Sequence, residues 1–305
     1  MAASIFPDAQ QAAREFTTLR DILRWAVSYF NAHDISFGQG TDNAWDEAVY
    51  LGLSALKLPI DLLEPFMDAR LSDSERVHLC NLIEQRVSTR LPAAYLTGEA
   101  WLQGFKFQIN QDCIIPRSPM AELIVQQLDP WIEDPHASLA ILDMCTGSGC
   151  LAILAALHFS QAQVDAVDIS EKALEIANLN VRSYGLQERL QLFKSDLFAQ
   201  LPAKTYDLIL CNPPYVNSDS MNNLPAEFRH EPALALAGGE DGMDAVRDIL
   251  QAAPRFLNPG GVLILEIGHE YNHFVQAFPK LQPMWLSTAQ ADHQILLLYK
   301  EQLKS

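Results

Sequence analysis

Apolar positions recur at helical spacing through the first ninety residues. Beyond residue 139 they fall into short runs that alternate between strand and helix lengths. Residues 17–31 put Leu19, Ile22, Leu23, Ala26, Val27 and Phe30 on one helix face. A second helix opens near Asn43, carries Trp45, Ala48, Val49, Leu51 and Leu53, and stops before Pro59, whose ring and missing N–H break a helix. Ser72-Asp73-Ser74-Glu75 has the spacing of a capping box, in which both end side chains satisfy first-turn amides, and it predicts a helix running to about residue 90. Between residues 100 and 116 the period drops to two. Trp101, Phe105, Phe107 and Ile109 alternate with polar neighbours around a glycine, as in a short hairpin.

From residue 139 the pattern predicts strands at 139–143, 164–168, 190–193, 206–211 and 262–267, with helices at 148–159, 171–184 and 242–256. Two closing strands are expected at 284–287 and 294–299. Parallel strands need a crossover to return the chain to the same edge, so this alternation implies a parallel sheet wrapped by helices, closed by an antiparallel pair. The expected organisation is a helical domain over 1–98, a β-hairpin linker over 99–117 and an α/β domain over 118–305.

Composition narrows the class of function. The 305 residues include 38 acids and 21 bases, a net charge of −17, which argues against a chain gripping nucleic-acid phosphates and suits a basic protein partner. Five cysteines without a CxxC pair fit a reducing compartment. The sequence shows no basic-then-apolar N-terminal signal and no apolar run of the ~20 residues a membrane span needs. A soluble, cytoplasmic protein is expected.

Candidate chemistry begins at Asp143-Met144-Cys145-Thr146-Gly147-Ser148-Gly149, where the first strand of the sheet turns into a helix. Glycines there let backbone approach a ligand closely, with helix N–H groups pointing into the crevice. Gly147, Gly149 and Ala152 also match the loose spacing of dinucleotide enzymes, so the loop alone does not choose a cofactor. Asp168 ends the second strand, where an acid can bind both ribose hydroxyls; Ser170 is at least as good a cap for the next helix and frees it. In Ser195-Asp196-Leu197-Phe198 a carboxylate can accept from an adenine amino group beside an apolar neighbour, although Asp196 can equally cap the loop.

Asn212-Pro213-Pro214-Tyr215 follows the strand at 206–211 and selects the reaction. Two prolines stiffen the turn, and the residue before each is held extended, which fixes the directions of the Asn212 side chain and the Pro213 carbonyl. Those two acceptors can take both hydrogens of a planar –NH2 group while Tyr215 packs on its face. An amide nitrogen is a poor nucleophile because its lone pair is delocalised. Holding its hydrogens orients that lone pair and favours the charge that builds on nitrogen in a transition state.

D-x-x-T-G-S-G, the strand-end Asp168, S-D-L-F and N-P-P-Y, in this order, resemble the protein glutamine methyltransferases of the HemK type over essentially the whole chain. The resemblance implies a Rossmann-like, seven-stranded class I methyltransferase domain preceded by a small helical substrate-recognition domain and a hairpin linker. It carries S-adenosyl-L-methionine onto Asp143, Cys145, Thr146, Gly147, Ser148, Gly149, Asp168, Asp196, Leu197 and Asn212. The glutamine amide falls on Asn212, Pro213, Pro214 and Tyr215, with Asn212, Pro213 and Tyr215 catalytic and no metal. Pro116-Arg117 and Glu266-Ile267-Gly268 also match family segments. Residues 20–28, 40–48 and 115–123 are similar to the branch that acts on large-subunit ribosomal protein three. Cys145 stands where the wider family usually has glycine.

Alternatives remain open at this point. One is the sister branch acting on peptide-chain release factors, and another is a ribosome assembly factor that keeps the fold without turnover. A nicotinamide dehydrogenase shares the glycine loop and Asp168 but leaves N-P-P-Y without a role. His269-Glu270-Tyr271-Asn272-His273 satisfies the zinc-protease pattern but lacks a third ligand downstream, and it is read as a surface helix. Glu227, Glu231, Glu240, Asp241, Asp244 and Asp248 crowd the stretch after Tyr215 and are expected to meet a basic substrate.

Overall fold

The computed structural model describes residues 6–304. The chain divides into two compact units, one of residues 1–99 with 225–230, the other of residues 100–224 with 231–305.

The first unit is helical: α1 (Ala9–Glu15), α2 (Leu19–Ala32), α3 (Ala44–Ala55), α4 (Asp73–Thr89) and α5 (Ala93–Thr97). Its helix starts are written in the sequence. Thr18 with Asp21 and Ser72 with Glu75 both form complete capping boxes, and Asn43 caps α3 by accepting from the Asp46 amide. The predicted apolar face of α2 is buried at Leu19, Ile22, Leu23, Ala26 and Phe30. Behind that face lies a polar cluster. Arg86 is 1% exposed and donates to Glu47 at 2.5 Å, and Glu227 accepts from the Ser36 amide at 3.1 Å and from Arg90 at 3.0 Å. Burial pushes the Glu227 carboxyl up, but these donors and the Arg86 charge outweigh it and hold it below the ordinary carboxylate value.

The second unit begins with a hairpin, β1 (Glu99–Leu102) and β2 (Phe105–Gln108), although Glu99 itself falls at the end of the first unit. There follow α6 (Met120–Val125), β3 (Ala140–Met144), α7 (Cys150–His158), β4 (Gln163–Asp168), α8 (Glu171–Ser183), β5 (Leu190–Lys194), β6 (Tyr206–Cys211), α9 (Ser218–Asn222), α10 (Asp244–Phe256), β7 (Leu257–Glu266), α11 (Tyr271–Ala277), β8 (Met284–Leu286) and β9 (Ile295–Tyr299). Seven strands form one sheet in the order β5-β4-β3-β6-β7-β9-β8. The first five are parallel, and β9 runs antiparallel to both its neighbours. Helix α7 is apolar all round and buried from Cys150 to Ala156, so it packs against the centre of the sheet rather than at a wet face. Most predicted boundaries move by a residue or two, and two starts show their surroundings plainly. The helix expected from 148 starts at Cys150 because Gly147 and Gly149 both take left-handed φ, and β7 starts at Leu257 rather than 262, running through Pro259-Gly260-Gly261. Strand order reverses between β3 and β6, where the carboxyl ends of a doubly wound sheet leave a crevice.

Candidate active site

Cys145 to Gly149 turn the chain from β3 into α7, and two acids pin this loop from behind. Asp143 Oδ2 accepts from Thr146 Oγ1 at 2.5 Å and from the Ala152 amide at 3.1 Å, and Asp168 Oδ2 accepts from the Gly147 amide at 2.9 Å. Cys145 sits at φ 60°, a left-handed conformation that costs a non-glycine residue about 1 kcal/mol or more. That φ explains why glycine suits the position.

Asp143 is 1% exposed and its carboxyl is pushed up to about 7, chiefly by burial, with the Thr146 and Ala152 hydrogen bonds opposing. Its folded-state value therefore lies above the unfolded one. The stability it contributes is full below the ordinary 3.8 and is lost as pH rises through about 7. Asp143→Asn should remove that decline. In urea titrations of the ligand-free protein, the variant should gain stability relative to wild type between pH 5 and pH 8, and a constant difference would contradict this charge assignment.

Asp168 caps as well as pins: its Oδ1 accepts from the Ser170 amide at 2.8 Å, while Ser170 separately caps α8 through the Ala173 amide. A carboxylate offers about four lone-pair sites, so capacity remains for a ligand. Burial raises the Asp168 pKa and its backbone donors oppose the rise. The loop-capping rival for Asp196 fails on geometry. Ser195 Oγ, accepting from Gln200 N at 2.9 Å, and Gln200 Oε1, accepting from Asp196 N at 2.7 Å, close that turn. The exposed Asp196 carboxylate accepts no hydrogen bond from the described residues.

Parallel pairing of Met144 with Cys211 brings the end of β6 beside the glycine loop. Among the described residues, neither the Asn212 side chain nor the Pro213 carbonyl has a hydrogen-bond partner. Asn212 and Pro213 both line a cavity of about 300 Å³ within this unit. Cys145, Thr146, Gly147, Asp168, Asp196 and Leu197 line one part of it, and Asn212, Pro213, Pro214 and Tyr215 line another. The cavity wall does not include Asp143, Ser148 or Gly149. Pro116, Arg117 and Glu266 also reach the wall, whereas Ile267 and Gly268 do not.

Tyr215 is fixed from several sides. Its hydroxyl donates to Glu266 Oε1 at 3.0 Å, and its ring lies against Gly268, where an added Cβ would stand 2.3 Å from Tyr215 Cε2. Gly238 and Gly242 admit its backbone: a Cβ on either would come within 2.7 Å of the Tyr215 Cα or 2.3 Å of its carbonyl oxygen. Sequence reasoning missed the last two, although the glycine-dense run Gly238-Gly239-Glu240-Asp241-Gly242 was the available signal. Gly268 also has φ 53°, so Gly268→Ala should displace the ring. We expect kcat to fall about 100-fold with stability reduced by less than about 3 kcal/mol. Steady-state kinetics beside urea denaturation checks this, and an unchanged kcat would show that the ring position does not matter.

The acids after Tyr215 need correction. Glu227 and Glu231 are only 1% and 4% exposed and cannot meet a substrate. Glu231 is held bidentately by Arg117 at 2.6 and 2.8 Å and also accepts from the Ile115 amide at 3.2 Å. Asp241 pairs with Arg247. Glu240, Asp244 and Asp248 are exposed, Asp244 sharing Arg247 at 3.3 Å, and the last two line the cavity. The zinc-like motif also comes apart. His269 precedes α11, Glu270 is buried against Asn217 and His273, and the described residues contain no cluster able to hold a metal.

The family model of the methyltransferase small domain matches residues 120–282. A ribosomal protein uL3 glutamine methyltransferase of Bordetella pertussis is 61% identical over 292 residues, covering 96% of this chain and 98% of the relative. Its counterpart in Neisseria gonorrhoeae is 52% identical, covering 96% and 98%. The chain belongs to this glutamine methyltransferase family. Its methyl donor is S-adenosyl-L-methionine, and the residues present suit that group. Asp168 has spare lone pairs, Asp196 has an unengaged carboxylate, and a Cβ on Gly147 would meet nothing closer than 3.6 Å. Asp143 Oδ1 and Ser148 Oγ are buried at the loop without a partner, capacity that a bound cation or ordered water can meet. No helix among the described residues of this methyltransferase is long and apolar enough to cross a membrane.

Proposed function

We propose that this chain methylates the side-chain amide nitrogen of a glutamine in ribosomal protein uL3. The observation that carries the reading is the pair of unengaged acceptors, Asn212 Oδ1 and the Pro213 carbonyl, on one cavity wall beside the glycine loop. Cys145, Thr146, Gly147, Asp168, Asp196, Leu197 and Asn212 form the donor side, with Asp143, Ser148 and Gly149 shaping the loop. Asn212, Pro213, Pro214 and Tyr215 form the amide side. S-adenosyl-L-methionine supplies a methyl group on a sulfonium, already a good leaving group, so orientation of the amide is the main task left to the protein. Asn212 and Pro213 accept the two amide hydrogens, orient the nitrogen lone pair toward the sulfonium methyl and stabilise the positive charge that develops on nitrogen; S-adenosylhomocysteine departs and one of the two hydrogens is lost as a proton to water. Tyr215, held by Glu266 and Gly268, covers the face of the amide.

The helical segment 1–98 serves substrate recognition in this reading, 99–117 is the linker and 118–305 is the catalytic domain. The net charge of −17 favours encounter with a basic ribosomal protein and disfavours a direct grip on nucleic acid, which fits action in the cytoplasm. Mass spectrometry of ribosomal proteins and release factors, incubated with the protein and labelled donor, tests the assignment. A single methyl increment on a uL3 glutamine is expected. An increment on a release factor alone would move the substrate to the sister branch, and no increment on either would favour an assembly factor.

A further inference from the structure

Glu266 is a buried acid that the mechanism above uses only as a tether. It is 3% exposed, yet it lines the cavity. The parallel register pairs Cys211 with Leu265, so the next residues along, Asn212 and Glu266, stand level at the carboxyl ends of adjacent strands. Asn212 and Glu266 both line the same cavity. No Lys or Arg forms an ion pair with Glu266 among the described residues, and the nearby Arg117 is committed to Glu231. Instead, two hydroxyls serve it: Tyr215 donates to Oε1 and Ser118 to Oε2.

An unpaired buried carboxylate is costly for packing alone, but it has one property that a glutamine of the same shape lacks: it only accepts. A hydroxyl hydrogen can point in one direction. With that hydrogen spent on Glu266, Tyr215 Oη has only lone pairs left for anything else. Burial, reinforced by the Glu266 charge, pushes the Tyr215 hydroxyl well above its ordinary range, so it stays a hydroxyl. Burial also raises the Glu266 carboxyl, while Ser118, Tyr215 and Arg117 oppose that rise and favour the charged form.

We propose that Glu266 is a positioning residue that sets the hydrogen-bond polarity of the amide site. By taking the only hydrogen of Tyr215 Oη, it leaves lone pairs there beside Asn212 Oδ1 and the Pro213 carbonyl, which take the two amide hydrogens, so the site offers no hydroxyl donor to a carboxylate. The site thereby selects glutamine over glutamate. This rests on the glutamine reading above and goes further by naming how the amide is told from the acid. Sites whose buried groups would be left unpaired by the wrong ligand discriminate strongly, by up to about 10⁴-fold.

The test is the ratio of dissociation constants for two peptides, one carrying the methylated uL3 segment and one with its glutamine changed to glutamate. Titration calorimetry would be done with S-adenosylhomocysteine bound to the full chain. Wild type should prefer the glutamine peptide by at least about 100-fold. Glu266→Gln should narrow that preference about tenfold or more, with S-adenosylhomocysteine affinity unchanged. In a Tyr215→Phe background the same substitution should have a much smaller effect, because the residue it acts through has lost its hydroxyl. An unchanged ratio, or an equal fall in the Phe background, would overturn the proposal. Should Glu266→Gln fail to fold, Tyr215→Phe alone must narrow the ratio, and an unchanged ratio there would overturn it too. A wild type that binds neither peptide would instead contradict the glutamine reading itself.

Discussion

Asn212→Ala is expected to lower kcat by about 10³-fold, equivalent to roughly 4 kcal/mol of transition-state stabilisation. The Asn212 side chain is engaged by no other described residue, so its loss removes nothing from the fold except a partly exposed amide at a strand end. In the proposed reaction it removes one of two acceptors for the substrate nitrogen, an interaction that would strengthen as charge develops. An effect confined to the transition state lowers kcat and kcat/KM together. Donor affinity, measured by calorimetry, should change by less than about tenfold, and the urea midpoint should barely move. Asn212→Asp is a sharper companion, since it keeps the acceptor while adding a charge that the neighbouring Glu266 disfavours. A KM effect alone would recast Asn212 as a ground-state binding residue.

Arg86→Ala should destabilise the helical unit by about 3–5 kcal/mol, because it strands Glu47 and leaves Glu227 with Arg90 as its remaining cation. All three principal partners are nearly inaccessible: Arg86 and Glu227 are each 1% exposed and Glu47 is 3% exposed. Removing one partner of a buried pair costs more than the pair is worth, since the survivor keeps its desolvation penalty. Arg86→Met with Glu47→Gln should therefore recover a good part of the loss, a reversal that packing alone does not give. The folded Glu227 pKa is depressed, so its share of stability is present above the unfolded value and is lost as pH falls below it. Urea denaturation followed by circular dichroism at pH 7 measures the first effect, and a loss under about 1 kcal/mol would mean that solvent reaches the cluster.

Local signals carried most of the fold. The capping box at Ser72–Glu75 forms as spelled, because a side chain three residues from its partner amide needs no tertiary help. The sheet strands were legible because buried parallel strands read as short unbroken apolar runs. Short elements were not: α6 and α9 have six and five residues, too few to show a period. Within the site, Cys145, Thr146, Gly147, Asp168, Asp196, Leu197 and Asn212 to Tyr215 were named from sequence and meet in one cavity. Asp143, Ser148 and Gly149 do not reach its wall, because a residue that shapes a turn and one that touches a ligand look alike in a motif. Long-range partners escaped altogether. That Glu231 belongs to Arg117, 114 residues earlier, and that Glu227 belongs to the helical unit, changes two presumed substrate contacts into buried struts.

The central claim is that Asn212 and Pro213 hold the hydrogens of a glutamine amide. A crystal structure of the protein with S-adenosylhomocysteine and a uL3 peptide containing the target glutamine tests it most directly. The amide nitrogen should lie about 2.9 Å from both Asn212 Oδ1 and the Pro213 carbonyl oxygen, with its face against Tyr215. A glutamine seated elsewhere in the cavity, or an amide held by its carbonyl oxygen with the nitrogen turned to solvent, would contradict it.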